Sequence, residues 1–159
     1  MSREEALALL QKLGLPEHII EHSIAVAKKA LEIAKQIQEA GHKINLEIIE
    51  IGAILHDVGR IKTHGIKHSA EGGKILREYG YPDAIARIAE THSLDDLWPE
   101  TIEEKIVCYA DKIVKGTQEM SVNDRFDIWM KRYGKSQILM DAKKIVLKIE
   151  EELFNLIAG

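Results

Sequence analysis

Four histidines and two aspartates in this chain form one series: His22, the adjacent pair His56-Asp57, His68, His92 and Asp111. Imidazole nitrogens and carboxylate oxygens are ligands of divalent transition metals. Several of the six fall in stretches that otherwise read as buried. An ionised carboxylate among apolar side chains costs several kcal/mol unless a partner neutralises it. A metal ion is such a partner, so the pattern predicts a metal-filled cleft. Each residue alone has a plainer reading. His22 suits a core histidine bonded to a backbone carbonyl, Asp57 suits an orienting partner of His56, and Asp111 suits an ion pair with Lys112 or Lys115. For all six, the plainer readings require several independent coincidences.

The elements that must position these side chains read as helices. Ser2-x-x-Glu5 and Thr101-x-x-Glu104 are capping boxes, and Asn45 is a third N-cap. Pro16 opens a long helix that stops near Gly41, with His22 along its apolar set Ile19, Val26, Ala30, Ile33 and Ile37. A third helix, apolar at Ile48, Ile49, Ile51, Ile54 and Leu55, runs into His56-Asp57. Gly59 and Gly65 bracket a polar loop holding Arg60, Lys62 and His64. Further helices are predicted from His68 to Tyr79, from Pro82 towards His92, and from Thr101 through Asp111 to Gly116. Two more run from Ser121 to Gly134 and from Ser136 to the C-terminus. No stretch alternates with period two for long enough to predict a strand. The expectation is an all-α chain of about eight helices forming a single compact domain over residues 1–159.

Composition bounds the function. At 159 residues the chain is long enough for one substantial core. The formal charge of −4 argues against bulk nucleic-acid binding but leaves room for a small phosphorylated ligand. The single cysteine, Cys108, lies in an apolar run and reads as a buried, inert thiol. Acids early in MSREEALALLQKL leave no signal-peptide core, and the apolar run IIEIGAIL is too short to span a bilayer. A cytoplasmic protein with no membrane partner is expected.

His22-Ser23, then Ala53-Ile54-Leu55-His56-Asp57-Val58-Gly59-Arg60, then Tyr109-Ala110-Asp111-Lys112-Ile113 resemble the HD superfamily of metal-dependent phosphohydrolases. The HDVGR segment is similar to the HDIGK variant of the HDIG-type subgroup. The resemblance covers roughly residues 18–116 and leaves about 121–157 as a C-terminal extension. His68-Ser69-Ala70-Glu71-Gly72-Gly73-Lys74-Ile75-Leu76 and Glu90-Thr91-His92 resemble blocks of the members that bind two metals. The resemblance implies a first ion held by His22, His56, Asp57 and Asp111. Asp57 then bridges to a second ion held by His68 and His92. His64 rivals His68, and Gly72, four residues after His68, decides for His68. His18 and His42 match nothing in the pattern and read as surface residues.

The implied cofactor is Mn, Fe, Co, Ni or Zn, one or two ions. The implied reaction is hydrolysis of a nucleotide or related phosphate ester or anhydride by metal-activated water, since a divalent ion can lower the pKa of water from 15.7 to about 7. Asp57 is then catalytic as well as a ligand, and Arg60 and Lys112 are the first candidates to neutralise phosphate charge, ahead of Lys62 and Lys67. Glu71, Asp95 or Asp96 is the proton donor. Two other readings stand beside this one: a di-iron oxygenase, because the six-ligand set also resembles that of myo-inositol oxygenase, and a non-catalytic nucleotide or metal sensor. Arg125 to Gly134 (RFDIWMKRYG) shapes the substrate pocket or a homodimer face, with Phe126 and Trp129 in the core or interface.

Overall fold

The computed structural model describes residues 1–62 and 68–159. Among them it contains eight α-helices: α1 (Arg3–Lys12), α2 (Glu17–Glu39), α3 (Leu46–Leu55), α4 (His68–Glu78), α5 (Asp83–Thr91), α6 (Ile102–Ile113), α7 (Val122–Tyr133) and α8 (Gln137–Ala158). The all-α expectation holds, and the helix starts follow the local chemistry. Ser2, Asn45, Thr101, Ser121 and Ser136 each accept the backbone N–H three residues on, satisfying a donor the helix itself leaves open.

α2 is the central element. Its stripe Ile19, Val26, Ala30, Ile33 and Ile37 is buried, and it packs against α3, α6 and α8. Ile20 and Leu31, on its adjoining face, are partly buried against the same core. α3 is apolar nearly all round and packs against α1, α2, α5 and α6, so the side chains at its C-terminal end emerge inside the molecule. There the chain tightens into a 3-10 turn, Val58–Ile61, which lies against α4. That approach is why residue 59 is glycine. A β-carbon on Gly59 would collide with the carbonyl oxygen of His68 and crowd the backbone nitrogen of Gly72.

Two details differ from the sequence reading. α6 ends at Ile113 rather than at Gly116, and the chain continues as a hairpin, β1 (Val114–Lys115) paired antiparallel with β2 (Gln118–Glu119). Gly116, with φ of 60°, supplies the turn's left-handed residue. Strands of two residues are too short to show a period, so no alternation could have announced them. His64, Gly65 and Lys67 lie outside the described residues. Cys108 is a buried free thiol. Among the described residues, no helix is long and apolar enough to cross a membrane.

Candidate metal centre

α2, α3, α4, α5 and α6 converge at one place, and each delivers part of the predicted set. His22 comes from the second turn of α2, and His56 and Asp57 from the end of α3. His68 opens α4, His92 closes α5, and Asp111 lies in the last turn of α6. The potential ligand atoms fall into two groups whose members lie within 4.8 Å of one another: His22, His56, Asp57 and Asp111, and Asp57, His68 and His92. Asp57 belongs to both, and its two oxygens divide the work. Oδ2 faces Nε2 of His56 at 3.2 Å and of His22 at 3.9 Å. Oδ1 faces Nε2 of His92 at 3.2 Å and of His68 at 3.5 Å.

The donor chemistry fits a cation. Nδ1 of His22 donates to the carbonyl of Gly116 at 2.9 Å, that of His56 to Ala53 at 2.6 Å, and that of His92 to Ala89 at 2.7 Å. A carbonyl only accepts, so in the neutral ring the proton sits on Nδ1 and the lone pair on Nε2 points into the cluster. Those lone pairs face other acceptors: Asp111 Oδ1 lies 3.0 Å from His22 Nε2 and 3.2 Å from His56 Nε2, and Asp57 Oδ1 lies 3.2 Å from His92 Nε2. Acceptors packed on acceptors need something positive between them.

Without a metal, that positive charge is a proton. Burial alone would strip it from His56, but the Asp57 and Asp111 carboxylates outweigh burial and push the pKa up to about 10. Both acids move the other way. Burial favours their neutral forms, yet His56 holds Asp57 well below the usual carboxylate range, and Lys112 with His56 does the same for Asp111. His92 is pushed down to about 4 by burial, with the nearby positive charge on His56 adding to the effect. It stays neutral at pH 7 with its lone pair available.

The surrounding side chains take distinct places. Lys112 is 1 % exposed. Its Nζ donates to Asp111 Oδ2 at 2.8 Å and to the His92 carbonyl at 2.6 Å. The structure thus places the Lys112 charge behind Asp111, where it ties α6 to the end of α5, rather than at an opening to solvent. Arg60 places Nε 3.2 Å from Asp57 Oδ1 with its side chain partly exposed. Glu71 is half-buried, three residues after His68 on α4. Asp95 accepts from the hydroxyl of Ser93, and Asp96 is exposed. His18 is exposed and His42 half-exposed. The cluster is most open at His22 and Asp111, whose side chains are 15 % and 14 % exposed, against 0–8 % for the other four. Arg125, which opens the RFDIWMKRYG segment, stacks on Trp129 four residues on, with its guanidinium carbon 3.8 Å from the ring centre.

Residues 19–115 match the family model of the HD domain. An uncharacterized protein of Methanocaldococcus jannaschii is 36 % identical, with 99 % of each chain covered. A tRNA (cytidine(56)-2'-O)-methyltransferase of Thermoplasma volcanium is 31 % identical across 95 % of this chain and 46 % of its own length. A Ribonuclease Y of Chloroflexus aurantiacus is 28 % identical across 73 % of this chain and 22 % of its own. The chain thus spans less than half of either of these two longer relatives. No solved structure matches significantly.

Proposed function

The chain belongs to the HD domain family, and from that premise we propose that it is a metal-dependent phosphohydrolase acting on a nucleotide or a closely related phosphate ester or anhydride. The observation that carries this reading is the divided carboxylate of Asp57, whose two oxygens face two separate sets of imidazole nitrogens. In this reading His22, His56, Asp57 and Asp111 hold one divalent ion, and Asp57, His68 and His92 hold a second. Bound there, such ions lower the pKa of water towards neutrality and polarise a phosphoryl oxygen.

The chain's own residues then do the positioning. The three Nδ1–H bonds to carbonyls lock the rings of His22, His56 and His92 with Nε2 inward. Lys112 occupies Oδ2 of Asp111 and leaves Oδ1 turned to the cluster. Its role becomes holding a ligand rather than meeting the phosphate. Arg60, partly exposed beside Asp57, is the residue we assign to phosphate charge. Glu71 is our candidate proton donor to the leaving group.

The names of two relatives concern RNA, one as a ribonuclease and one as a tRNA methyltransferase, which supports a nucleotide-derived substrate. The acidic balance of this chain favours a small one. The test is a matrix of Mn, Fe, Co, Ni, Zn and Mg against a nucleotide panel, reading phosphate release and product identity together. We expect turnover with at least one transition metal and little with Mg alone, because the set is rich in nitrogen. Oxygen uptake by the iron-loaded protein without phosphate release would instead identify an oxygenase.

A further inference from the structure

Among the described residues, α7 carries a cation, Arg125, that makes no ion pair or side-chain hydrogen bond. Arg125 stands one turn into α7, its N–H bonded to the Ser121 carbonyl. The guanidinium carbon lies 3.8 Å from the centre of the Trp129 ring. Its Nε is buried without a hydrogen-bond partner among the described residues. Asp111, the acid whose charge reaches it, is engaged by Lys112, His22 and His56, and Asp124 and Asp127 on α7 are exposed and form no ion pair with it among the described residues. A half-buried guanidinium left unpaired is costly to the fold. Its stacking on Trp129 fixes the plane but offers no acceptor for its N–H edge.

Position gives the unpaired charge its meaning. The hairpin β1–β2 leaves α6 beyond Asp111, gives its Gly116 carbonyl to His22, and leads directly into α7. α7 in turn packs against α6. Arg125 is thus carried on a helix that packs against the one holding Asp111 and follows the hairpin bonded to His22, the two most open members of the cluster, and the Asp111 charge acts on the guanidinium.

We propose that Arg125 receives the phosphate of a monoester substrate, such as a nucleoside monophosphate, at the mouth of the metal centre. This rests on the phosphohydrolase reading and extends it, because Arg125 lies outside the segment 19–115 that matches the HD domain. The shared segment supplies the reaction, and α7 supplies the choice of substrate. A monoester dianion has three terminal oxygens and two charges, so it can give two oxygens to the planar N–H fork and keep a third free, which a diester cannot, and the fork is a match an ammonium cannot reproduce.

The experiment compares the metal-loaded wild type with Arg125→Met, which keeps an aliphatic stem over Trp129, and with Arg125→Lys. Inorganic phosphate binding is measured by calorimetry, nucleoside monophosphate hydrolysis by steady-state kinetics, and metal content and melting temperature alongside. For R125M we expect phosphate affinity and KM to worsen roughly tenfold or more, as for loss of a charge-assisted pair. Its kcat should stay within about threefold, in keeping with a residue that binds substrate rather than stabilising the transition state. R125K should recover only part. Metal content should match the wild type, and the melting temperature should hold or rise, since an uncompensated charge has been removed. R125M that binds phosphate like the wild type, or that loses metal and stability together, overturns the assignment while leaving the phosphohydrolase reading intact. A wild type that neither binds phosphate nor hydrolyses any ester with any metal overturns that reading, and the assignment falls with it.

Discussion

Helix α6 takes an acid out of most of its solvent at each end, and the two ends solve the same electrostatic problem in opposite ways. Glu104, in the first turn, is 2 % exposed. It accepts from Arg87 at 3.0 and 3.2 Å and from the backbone N–H of Glu100 at 3.0 Å. Every partner there is a donor that carries its own hydrogen. Asp111, two turns on, meets one such donor, Lys112, on Oδ2. Its Oδ1 faces two imidazole nitrogens whose neutral rings commit their one proton to the far side. A structural ion pair is complete within the protein, whereas a metal centre turns acceptor towards acceptor and leaves the positive charge to be brought. The distinction lies in which ring nitrogen the backbone has already claimed.

The largest expected effect comes from removing the residue that makes the cluster two-sided. Asp57→Asn should lose metal from both groups and reduce turnover by more than the ~10–100-fold typical of losing an outer-shell partner. His68→Ala or His92→Ala should lose about one equivalent and keep the other. Elemental analysis of the three variants decides the matter. Equal metal content in all three would mean that Asp57 does not bridge, and the contrast between the ends of α6 would lose its basis.

Next in size is Lys112→Met. This change leaves Asp111 buried with no cation on Oδ2, and breaking a buried pair from one side costs about 3–5 kcal/mol. Chemical denaturation of the metal-free protein measures it. Added metal should restore part of the loss, because Oδ1 gains the cation that Oδ2 lacks. A variant as stable as the wild type would show that the Lys112 charge is not what compensates Asp111.

How much of this could be read from the residues alone differs between the two sides of Asp111. The helices were legible because caps and apolar stripes are local signals, as at Asn45 and along Ile19 to Ile37 of α2. So were the six residues the structure brings together, since imidazoles and acids stand out on apolar faces. The burial of Lys112 was not legible. A lysine on a helix reads as solvated, and only the fold reveals that the His92 carbonyl lies 2.6 Å from its Nζ. The sequence also set ligand against ion pair as rival accounts of Asp111, and carbonyl bond against ligand for His22. In the structure the two accounts are compatible in each case, because Lys112 takes one oxygen of Asp111 and the Gly116 carbonyl one nitrogen of His22, leaving the other atom of each turned to the cluster. The hairpin at Val114–Glu119 and the place of Arg125 depend on how α7 returns to α6, which no local pattern encodes.

A smaller effect separates the two ends by pH. In the metal-free protein His56 carries a proton with a pKa of about 10, above the ordinary 6.5. The stability it contributes is fully present below about pH 6.5 and is lost as pH rises through 10. An incoming ion must displace that proton. Metal affinity should therefore climb by up to about tenfold per pH unit between pH 7 and 10, with close to one proton released per ion at pH 8. Calorimetry in buffers of different ionisation enthalpy counts the protons. Affinity that is flat over this range would mean that the charge between Asp57 and Asp111 is not a proton on His56.

The smallest effect belongs to Glu104, and it runs in the other direction. Burial favours the neutral acid, but the Arg87 guanidinium and the donors around it overcome burial and lower its pKa. A depressed folded pKa means that the stability is present above the unfolded value, near 4.5, and is lost as pH falls through the folded one. Between pH 7 and 10 this end of α6 should therefore contribute nothing to the pH dependence. Glu104→Gln keeps the shape and removes the charge, so it should cost about 1–2 kcal/mol at pH 7. That cost should shrink in acid, and chelator or added metal should leave it unchanged, because Arg87 is already in place. Melting curves of this variant and the wild type at pH 4 and 7, each with chelator and with metal, carry the test. A cost that changes when metal is added would show that the two ends of α6 are coupled, and that the pairing at Glu104 helps to set the geometry at Asp111.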